Sequence, residues 1–402
     1  MNTQPAKFFA AMQPRERRAT AIVTTIAMMR LFALFALLPV MALFAGSLPG
    51  ATPTLIGVAV GGYGLTQALL QIPLGALSDR VGRVPVVLLG LAIFASGSIL
   101  AASSETIYGV IAGRLLQGAG AVSATLTALL ADATRTEIRT RTMALLGIGI
   151  GSTFLLALVA GPAIAAASGV RSLFWLGACL AFVAAFMLRF LPEGIGPKGN
   201  VPVAPLRAAL KLPLMRLDLC IFVLHALLSA SFVALPFLLR GAADVPVADH
   251  WKIYAAALIV SLAGTLPLIL ADERRGKAHT VTIAVLLLLL GQLLLAFGGV
   301  AALPVIAGLA LFFAGFNFLE AGLPARLSIL ADDHVRGASL GVFSSAQFLG
   351  IFAGGLTGGW LLDGRPPANV FLFCSVVCGL WLVAQRLTAL GNDDRLQPSN
   401  KA

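Results

Sequence analysis

Four side chains that can carry a charge lie deep inside long apolar stretches: Arg30, Arg114, His225 and Glu320. A charge near the centre of a bilayer costs at least about 2.5–3.5 kcal/mol on insertion scales, so each should face a cavity or a partner. A carboxyl and an imidazole can exchange protons, because burial and nearby charge change their protonation state. We therefore expect proton transfer, with Glu320 as the carrier and His225 sharing the proton.

Spacing indicates which of these groups are neighbours. Asn317 and Glu320 are three residues apart, so they share a helical face. Arg30, His225 and Glu320 all lie at a similar depth, about ten residues or roughly 15 Å from one membrane face, and are expected to meet. The alternative is a structural ion pair of Glu320 with Arg30 or Arg326.

Arg114 and Gln117 form a second pair that shares a helical face, because they too are three residues apart. Arg114 is expected to line the same cavity as Glu320. A structural role for this arginine is the alternative.

A charged motif occurs twice in the chain. "IPLGALSDRVGR", residues 72–83, places Asp79, Arg80, Gly82 and Arg83 between two apolar runs. Shifted by 194 positions, "LPLILADERRGK" at 266–277 repeats the pattern. Gly82 permits a tight turn that a side chain would obstruct. The alternative is that the motif only sets membrane topology, which would explain its arginines but not its acid and glycines.

Composition predicts the elements that hold these groups. The mean hydropathy of +0.95 leaves too little polar surface for a soluble protein of 402 residues. A spanning helix needs roughly 20 apolar residues. Twelve stretches qualify: Thr20–Ala45, Thr54–Leu77, Val84–Ala102, Thr106–Ala131, Thr142–Ala167, Ser172–Leu191, Leu217–Leu239, Trp251–Ala271, Thr280–Gly299, Leu303–Leu330, Ala338–Leu362 and Ala368–Thr388.

The net charge of +11 is explained by topology rather than by a nucleic-acid partner. With a cytoplasmic amino terminus, only Arg171, Arg240, Lys252 and Arg365 of the 28 basic residues fall on opposite-side loops. This is the positive-inside pattern, so both termini are expected in the cytoplasm. The bilayer is then the main partner of the surface.

The chain divides into two similar halves. We expect an all-α membrane protein of two pseudo-symmetric six-helix bundles at 1–191 and 215–402, joined by a Gly- and Pro-rich cytoplasmic linker at 192–214. No P-loop, metal-ligand or nucleophile motif is present, and the four cysteines fit core packing. We therefore expect neither an enzyme nor a cofactor or metal site.

Several motifs resemble those of the major facilitator superfamily. "GALSDRVGR" (Gly75 to Arg83) is similar to its loop signature and "RLLQGAGA" (114–121) to its helix 4 motif. "AGPAIAA" (160–166), with Gly161 and Pro162, resembles the helix 5 element of its drug:proton antiporters. "RLFALFALLPV" and the segment ending in "GGYGLTQALLQIPLGALSDRVGR" resemble the YajR-like subgroup of these antiporters.

The resemblance implies two halves that rock about a cavity lined by helices 1, 4, 7 and 10. It places Asp79 against the start of helix 11 near Ala338, and Arg83 beside Asp132. These contacts form a latch between the halves that also uses Gly75, Arg80 and Gly82. Asp79 is expected to take part in proton coupling as well. The expected cavity residues are Arg30, Phe35, Tyr63, Gln67, Arg114, Gln117, Phe232, Phe313, Asn317 and Glu320.

The expected function is proton-coupled export of lipophilic or amphiphilic small molecules across a bacterial inner membrane. One acid in an apolar cavity favours a cationic substrate, and too few polar groups converge to orient a sugar. We expect a monomer. The alternatives are a proton-linked nutrient symporter, a lipid flippase on the same fold, or a membrane sensor that transports nothing.

Overall fold

The computed structural model describes residues 12–195, 209–275, 277–332 and 335–393; of the side chains of 273–278 and 388–393 it gives no description. Within these ranges twelve helices are long and apolar enough to span a membrane, and no strand occurs. They are α1 Pro14–Phe35, α2 Pro53–Val81, α3 Arg83–Ser103, α4 Ile107–Asp132, α5 Thr136–Ser168, α6 Arg171–Met187, α7 Leu212–Arg240, α8 His250–Arg275, α9 Lys277–Gly298, α10 Ala302–Leu330, α11 Arg336–Leu361 and α12 Ala368–Asp393.

The same packing pattern occurs in both halves. In the first, α1 packs on α5, α2 on α4, and α3 on α4 and α6; in the second, α7 packs on α11, α8 on α10, and α9 on α10 and α12. The predicted fold class of two pseudo-symmetric six-helix bundles is confirmed. The predicted linker at 192–214 lies partly outside the described residues, so the domain boundaries stay a prediction.

Two predicted helices are interrupted. The first apolar run was expected to be helical to Ala45, but α1 ends at Phe35 and a separate short helix covers Met41–Gly46. Pro39 explains the break, because proline has no N–H to donate and its ring collides with the carbonyl four residues earlier.

The second interruption divides α4 into Ile107–Ala119 and Ser123–Asp132. A Cβ at Gly118 would overlap the Tyr63 carbonyl oxygen, and one at Gly120 would overlap that of Gly90. The glycines therefore bring α4 into backbone contact with α2 and α3, and their low helix propensity permits the break between them and Ser123.

The bundles meet through α2 with α11 and α5 with α8. We call the end where α1 begins and α2 ends the terminal face, and the opposite end the far face. Towards the far face, α2 and α11 touch backbone to backbone: a Cβ on Gly61 would lie 2.6 Å from the Ile351 carbonyl oxygen, and one on Gly57 would overlap that of Gly355. The two bundles are thus packed together at the far face.

The glycines of α11 serve two contacts at once. Gly355 and Gly359 face α2 of the other bundle, whereas Gly350, Gly354 and Gly358 face Phe222, Ala226 and Ala230 of α7. Packing within one half and contact between halves therefore use different faces of the same helix.

Candidate functional site

Arg30 is buried between three helices of the first bundle, with only 2% of its surface exposed. Its Nη2 donates to Gln67 Oε1 on α2 at 2.9 Å, and its Nη1 donates to Ser123 Oγ on α4 at 3.1 Å. The Gln67 amide in turn donates to the Ser123 hydroxyl at 3.4 Å. The guanidinium lies 5.6 Å from the Phe94 ring. This cation thus contacts only neutral groups among the described residues.

Arg114 is equally buried but more completely hydrogen-bonded. Its Nε and Nη2 donate to the carbonyl oxygens of Ala59 and Val60 at 3.1 Å each, and its Nη1 donates to Gln117 Oε1 at 2.9 Å. The Tyr63 ring lies 4.4 Å below the guanidinium carbon. Tyr63 and Arg114, both expected in the cavity, are therefore placed inside the first bundle in this conformation.

Gln117 extends this network to α3, because its Nε2 donates to Ser98 Oγ at 2.8 Å. Both side chains are fully buried. The Arg114 network thereby joins α2, α3 and α4, which agrees with the structural alternative for this arginine.

His225, Glu320 and Gln347 form a polar cluster in the second bundle, on α7, α10 and α11. His225 Nε2 lies 3.6 Å from Glu320 Oε2. The Gln347 amide nitrogen lies 2.9 Å from His225 Nε2 and donates to Glu320 Oε1 at 3.1 Å. His225 Nδ1 lies 3.2 Å from the Ile221 carbonyl oxygen.

The hydrogen bonds of this cluster fit one protonation state. If Gln347 donates to His225 Nε2, that nitrogen is an acceptor and Nδ1 holds the proton that it donates to Ile221, so the imidazole is neutral. Glu320 Oε2 is buried and accepts no hydrogen bond among the described groups, although the side chain as a whole is 38% exposed. Nε2 of His225 and Oε2 of Glu320 face each other at 3.6 Å, slightly beyond hydrogen-bond distance.

Sequence reasoning expected Arg30 to meet this cluster, but no contact between them occurs among the described residues. The proposed ion pair of Glu320 with Arg326 is also absent there, because Arg326 Nη2 donates to Asp272 Oδ1 at 3.0 Å instead. Each of the two bundles thus has its own polar centre.

Aromatic rings connect the bundles at this depth. Phe154 of α5 packs 5.2 Å from Phe35 on α1 and 5.7 Å from Phe316 on α10, measured between ring centroids. Phe316 lies 5.6 Å from the His225 ring and 6.5 Å from Phe313. The predicted cavity residues Phe35 and Phe313 therefore belong to one aromatic cluster, which spans the interface between the halves.

The remaining cavity candidates have different surroundings. Phe232 is fully buried within the second bundle, where its ring centroid lies 5.9 Å from that of Tyr254 and 6.3 Å from that of Phe313 in the aromatic cluster. Asn317 is half-buried on α10, directly after Phe316. Gly161 packs on Ala36 so closely that a Cβ would overlap the Ala36 carbonyl oxygen, and Pro162 is buried beside it in α5. The helix 5 motif thus fits α5 against the turn after α1.

The charged motif at the terminal face forms only part of the expected contacts. Arg83 Nε donates to Asp132 Oδ2 at 2.9 Å, its Nη1 donates to Ser78 Oγ at 2.7 Å, and Asp79 Oδ1 lies 2.6 Å from the same nitrogen. No hydrogen bond joins Asp79 to the first turn of α11 near Ala338 in the described parts of the chain. Its carboxylate is instead paired within its own turn, and it is 40% exposed.

The other motif residues explain the local geometry. Gly82 adopts a φ of 105°, which side chains rarely tolerate, and so permits the sharp turn from α2 into α3. A Cβ on Gly75 would lie 3.8 Å from Ala124 Cβ, so this glycine faces α4. Arg80 is exposed. Of the second copy, at 266–277, the residues 273–277 lie outside those whose side chains are described.

Three contributors were missed by sequence reasoning: Ser123, Phe154 and Gln347. None carries a charge, so none shows the cost of burial that identified the others. Only the tertiary structure brings Gln347 to His225 and Ser123 to Arg30. Among the described residues, no group of three or more His, Cys, Asp or Glu is placed to hold a metal ion.

Comparison with known proteins identifies the relatives of this chain. A family model described as Major Facilitator Superfamily matches residues 20–354. Over 378 residues the chain is 39% identical to the inner membrane transport protein YajR of Escherichia coli (strain K12), covering 92% of this chain and 83% of YajR. It is 28% identical over 345 residues to the multidrug transporter MdfA of Edwardsiella ictaluri (strain 93-146), covering 79% and 81% of the two chains.

A solved structure has the same architecture. The human organic anion transporter MFSD10 superposes with a TM-score of 0.67 over 93% of this chain and 100% of that chain, at 21% identity. At this identity the likeness is one of fold.

Proposed function

Because the chain belongs to the major facilitator superfamily, whose members are transporters rather than enzymes, we propose that it exports lipophilic or amphiphilic small molecules in exchange for protons. Its twelve apolar helices and its inner-membrane relative make it a multi-pass protein of the bacterial inner membrane. A transporter of this family binds its small-molecule substrate within the membrane. Proton exchange, monomeric action and the class of substrate are parts of the proposal.

The observation that supports proton coupling is the cluster of His225, Glu320 and Gln347. It holds an imidazole 3.6 Å from a carboxylate oxygen that accepts no described hydrogen bond, at the aromatic contact between the bundles. A proton shared by these two groups neutralises the carboxylate. A substrate bound beside the exposed part of Glu320 would compete with that proton, and such competition is what antiport requires.

The proton also changes the hydrogen bonds of the cluster. Once Nε2 of His225 carries a proton, it can no longer accept from Gln347, and the Gln347 amide has to reorient. Gln347 lies on α11, the helix that contacts both α7 and α2. Protonation is therefore linked to the helix on which the two bundles pack.

The distribution of basic residues supports an orientation with both termini in the cytoplasm. With both termini cytoplasmic, the far face is periplasmic, and the α2–α11 contact closes the periplasmic side in this conformation. Asp79, Arg83 and Asp132 then lie at the cytoplasmic edge. We propose that Asp79 contacts the start of α11 near Ala338 when the cytoplasmic side closes.

Glu320→Gln tests the proposal, because the amide keeps the shape of the side chain but does not gain or lose a proton at physiological pH. In proteoliposomes with an imposed pH gradient, efflux of a panel of fluorescent amphiphiles of either charge should lose its dependence on the gradient, while substrate binding persists. Glu105→Gln, an acid-to-amide change at an exposed residue, is the matched control.

The direction of proton flux distinguishes the alternatives. Protons moving against the substrate support antiport, and protons moving with it indicate a symporter. A flippase is expected to move substrate without protons. A sensor is expected to move neither substrate nor protons. Undiminished gradient-driven efflux by the Glu320→Gln variant would remove this residue from the mechanism.

A further inference from the structure

The two buried arginines of the first bundle differ in how fully their donors are used. Arg114 engages Nε, Nη1 and Nη2 with oxygen acceptors and stacks on Tyr63. Arg30 engages Nη1 and Nη2, but its Nε is buried with no acceptor among the described groups. Because an unsatisfied donor on a buried charged group is costly, Arg30 is suited to a further ligand.

A small cavity adjoins Arg30. It has a volume of about 40 Å³ between α1, α4 and α5, and Arg30, Ser123 and Thr127 are its polar lining residues. The rest of the lining is aliphatic. Thr127 is exposed, so the cavity connects with the outside of the bundle at this residue. Such a volume holds a compact polar group but not the body of an amphiphile.

The cavity also contains the start of a helix. Ser123 is the first residue of the second segment of α4, which has ten residues and no side-chain cap at its amino end. The amide groups in the first turn of a helix carry a partial positive charge of about half a unit. Together with the Arg30 guanidinium they give the cavity a positive potential, and no described carboxylate pairs with Arg30.

From these observations we propose that Arg30, Ser123 and the first turn of the second α4 segment bind a carboxylate of the transported molecule. A carboxylate accepts from Arg, from a hydroxyl and from backbone amides, and it fits the cavity volume. The apolar body of the substrate then extends past Thr127 toward the aromatic cluster at the bundle interface.

This inference rests on the proposed function, because it names the substrate class of a proposed transporter. It replaces the expectation of a simple lipophilic cation, which considered Glu320 alone. The preferred substrate is an amphiphile that bears at least one compact anionic group, and a zwitterion with a cationic end toward Glu320 satisfies both centres.

The test uses three probes that share an aromatic body and differ in charge: benzoate, benzylammonium and benzyl alcohol. Binding to the purified full-length protein is measured by titration calorimetry and by thermal stabilisation, since a ligand of the folded state raises its stability. Benzoate should bind at least about tenfold more tightly than the other two, the effect of one charge-assisted hydrogen bond. Equal binding of the three probes overturns the proposal.

Variants assign that selectivity to the cavity. Arg30→Gln should abolish the preference for benzoate, Arg30→Lys should retain part of it by keeping the charge without the planar fork, and Ser123→Ala should weaken it without loss of folding. Arg216→Gln, at an exposed arginine of α7, is the matched control and should bind like the unmodified protein. Benzoate preference that persists in both Arg30→Gln and Ser123→Ala contradicts the assignment.

Chloride tests whether the cavity binds an inorganic anion instead of a carboxylate. If chloride displaces benzoate at equal concentration and stabilises the protein as strongly, the cavity binds an inorganic anion and the substrate claim is wrong. Failure of this proposal is distinguishable from failure of proton antiport, because the binding assay uses no pH gradient. Benzoate selectivity without proton-coupled efflux supports the site and rejects the antiport.

Discussion

The two bundles share one architecture but bury different kinds of charge. The first bundle buries Arg30 and Arg114, whose guanidinium groups stay protonated, and surrounds them with neutral acceptors. The second buries His225 and holds Glu320 beside it, 3.6 Å from Nε2 to Oε2. On the functions proposed above, the first bundle provides fixed charge for binding, and the second provides charge that changes with protonation.

The two bundles also differ in the ion pairs, here called ties, that join their helix ends at the terminal face. In the first bundle Glu16 of α1 pairs with Arg135 after α4, and Arg83 of α3 pairs with Asp132 of α4. In the second, Lys211 before α7 pairs with Asp332 after α10, and Asp272 of α8 pairs with Arg326 of α10. The α1–α4 tie and the equivalent α7–α10 tie thus have the positions of acid and base exchanged, whereas the second tie joins α4 to α3 in the first bundle but α10 to α8 in the second.

The largest expected effect separates the two kinds of buried charge. Arg114→Gln should lower the free energy of unfolding by about 3 kcal/mol, because three charge-assisted hydrogen bonds are lost and Gln117 Oε1 loses its donor. Glu320→Gln should change stability by less than about 0.5 kcal/mol while it abolishes proton coupling.

Thermal unfolding of the purified variants, together with gradient-driven efflux at matched protein density, measures both effects. Two variants with the same profile would show that fixed and switchable charge are not divided between the bundles. An Arg114→Gln variant that is stable but uncoupled would move the proton pathway to the first bundle.

Much of the fold is predictable from sequence. The twelve apolar runs, the repeat of the charged motif and the asymmetry of basic residues are long-range patterns, and each follows from the cost of placing charge in lipid. Pro39 is also a local sequence signal for the end of α1. The break in α4 did not, because Gly118 and Gly120 act through contacts with α2 and α3 that sequence does not display.

The site was predictable only where burial of charge made it visible. Arg30, His225 and Glu320 were found by this criterion, and His225 was expected beside Glu320. Gln67 was expected in the cavity but not as the partner of Arg30, and Gln347 was not found, since these contacts appear only in three dimensions. The expected meeting of Arg30 with Glu320 assumed that equal depth brings side chains together. Depth fixes one coordinate, and the packing of α1 with α2 and α4 fixes the others.

A smaller effect is expected from the residue that organises the switchable charge. Gln347→Leu removes the amide that bonds both His225 and Glu320, so the two groups can form a fixed pair and the proton is released less readily. Proton-driven efflux should slow about tenfold, the effect of one hydrogen bond to a charged group.

Gln292→Leu is the matched control for this change, because Gln292 is buried in the same bundle and donates to Ser231 at 2.8 Å, away from the cluster. It should alter stability but not the ratio of protons to substrate moved. Equal slowing by the two variants would indicate a packing effect, and Gln347 would then lose its role in coupling.

The smallest effect concerns the exchanged ties at the terminal face. Lys211 and Asp332 are 2.8 Å apart and both more than half exposed, so reversing either charge should cost only about 0.5 kcal/mol. The double change Lys211→Glu with Asp332→Lys gives the second bundle the charge order of the first and should restore the stability. Thermal unfolding at low salt and at 1 M NaCl measures this stability, since screening should remove the losses of the single variants.

The loss of stability from the corresponding charge reversal at Glu16, whose carboxylate is 5% exposed, should be less sensitive to salt. If the double variant stays as unstable as the single variants, other neighbouring residues in each bundle determine which side of the ion pair is acidic. The exchanged positions of acid and base would then not be explained by the two paired residues alone.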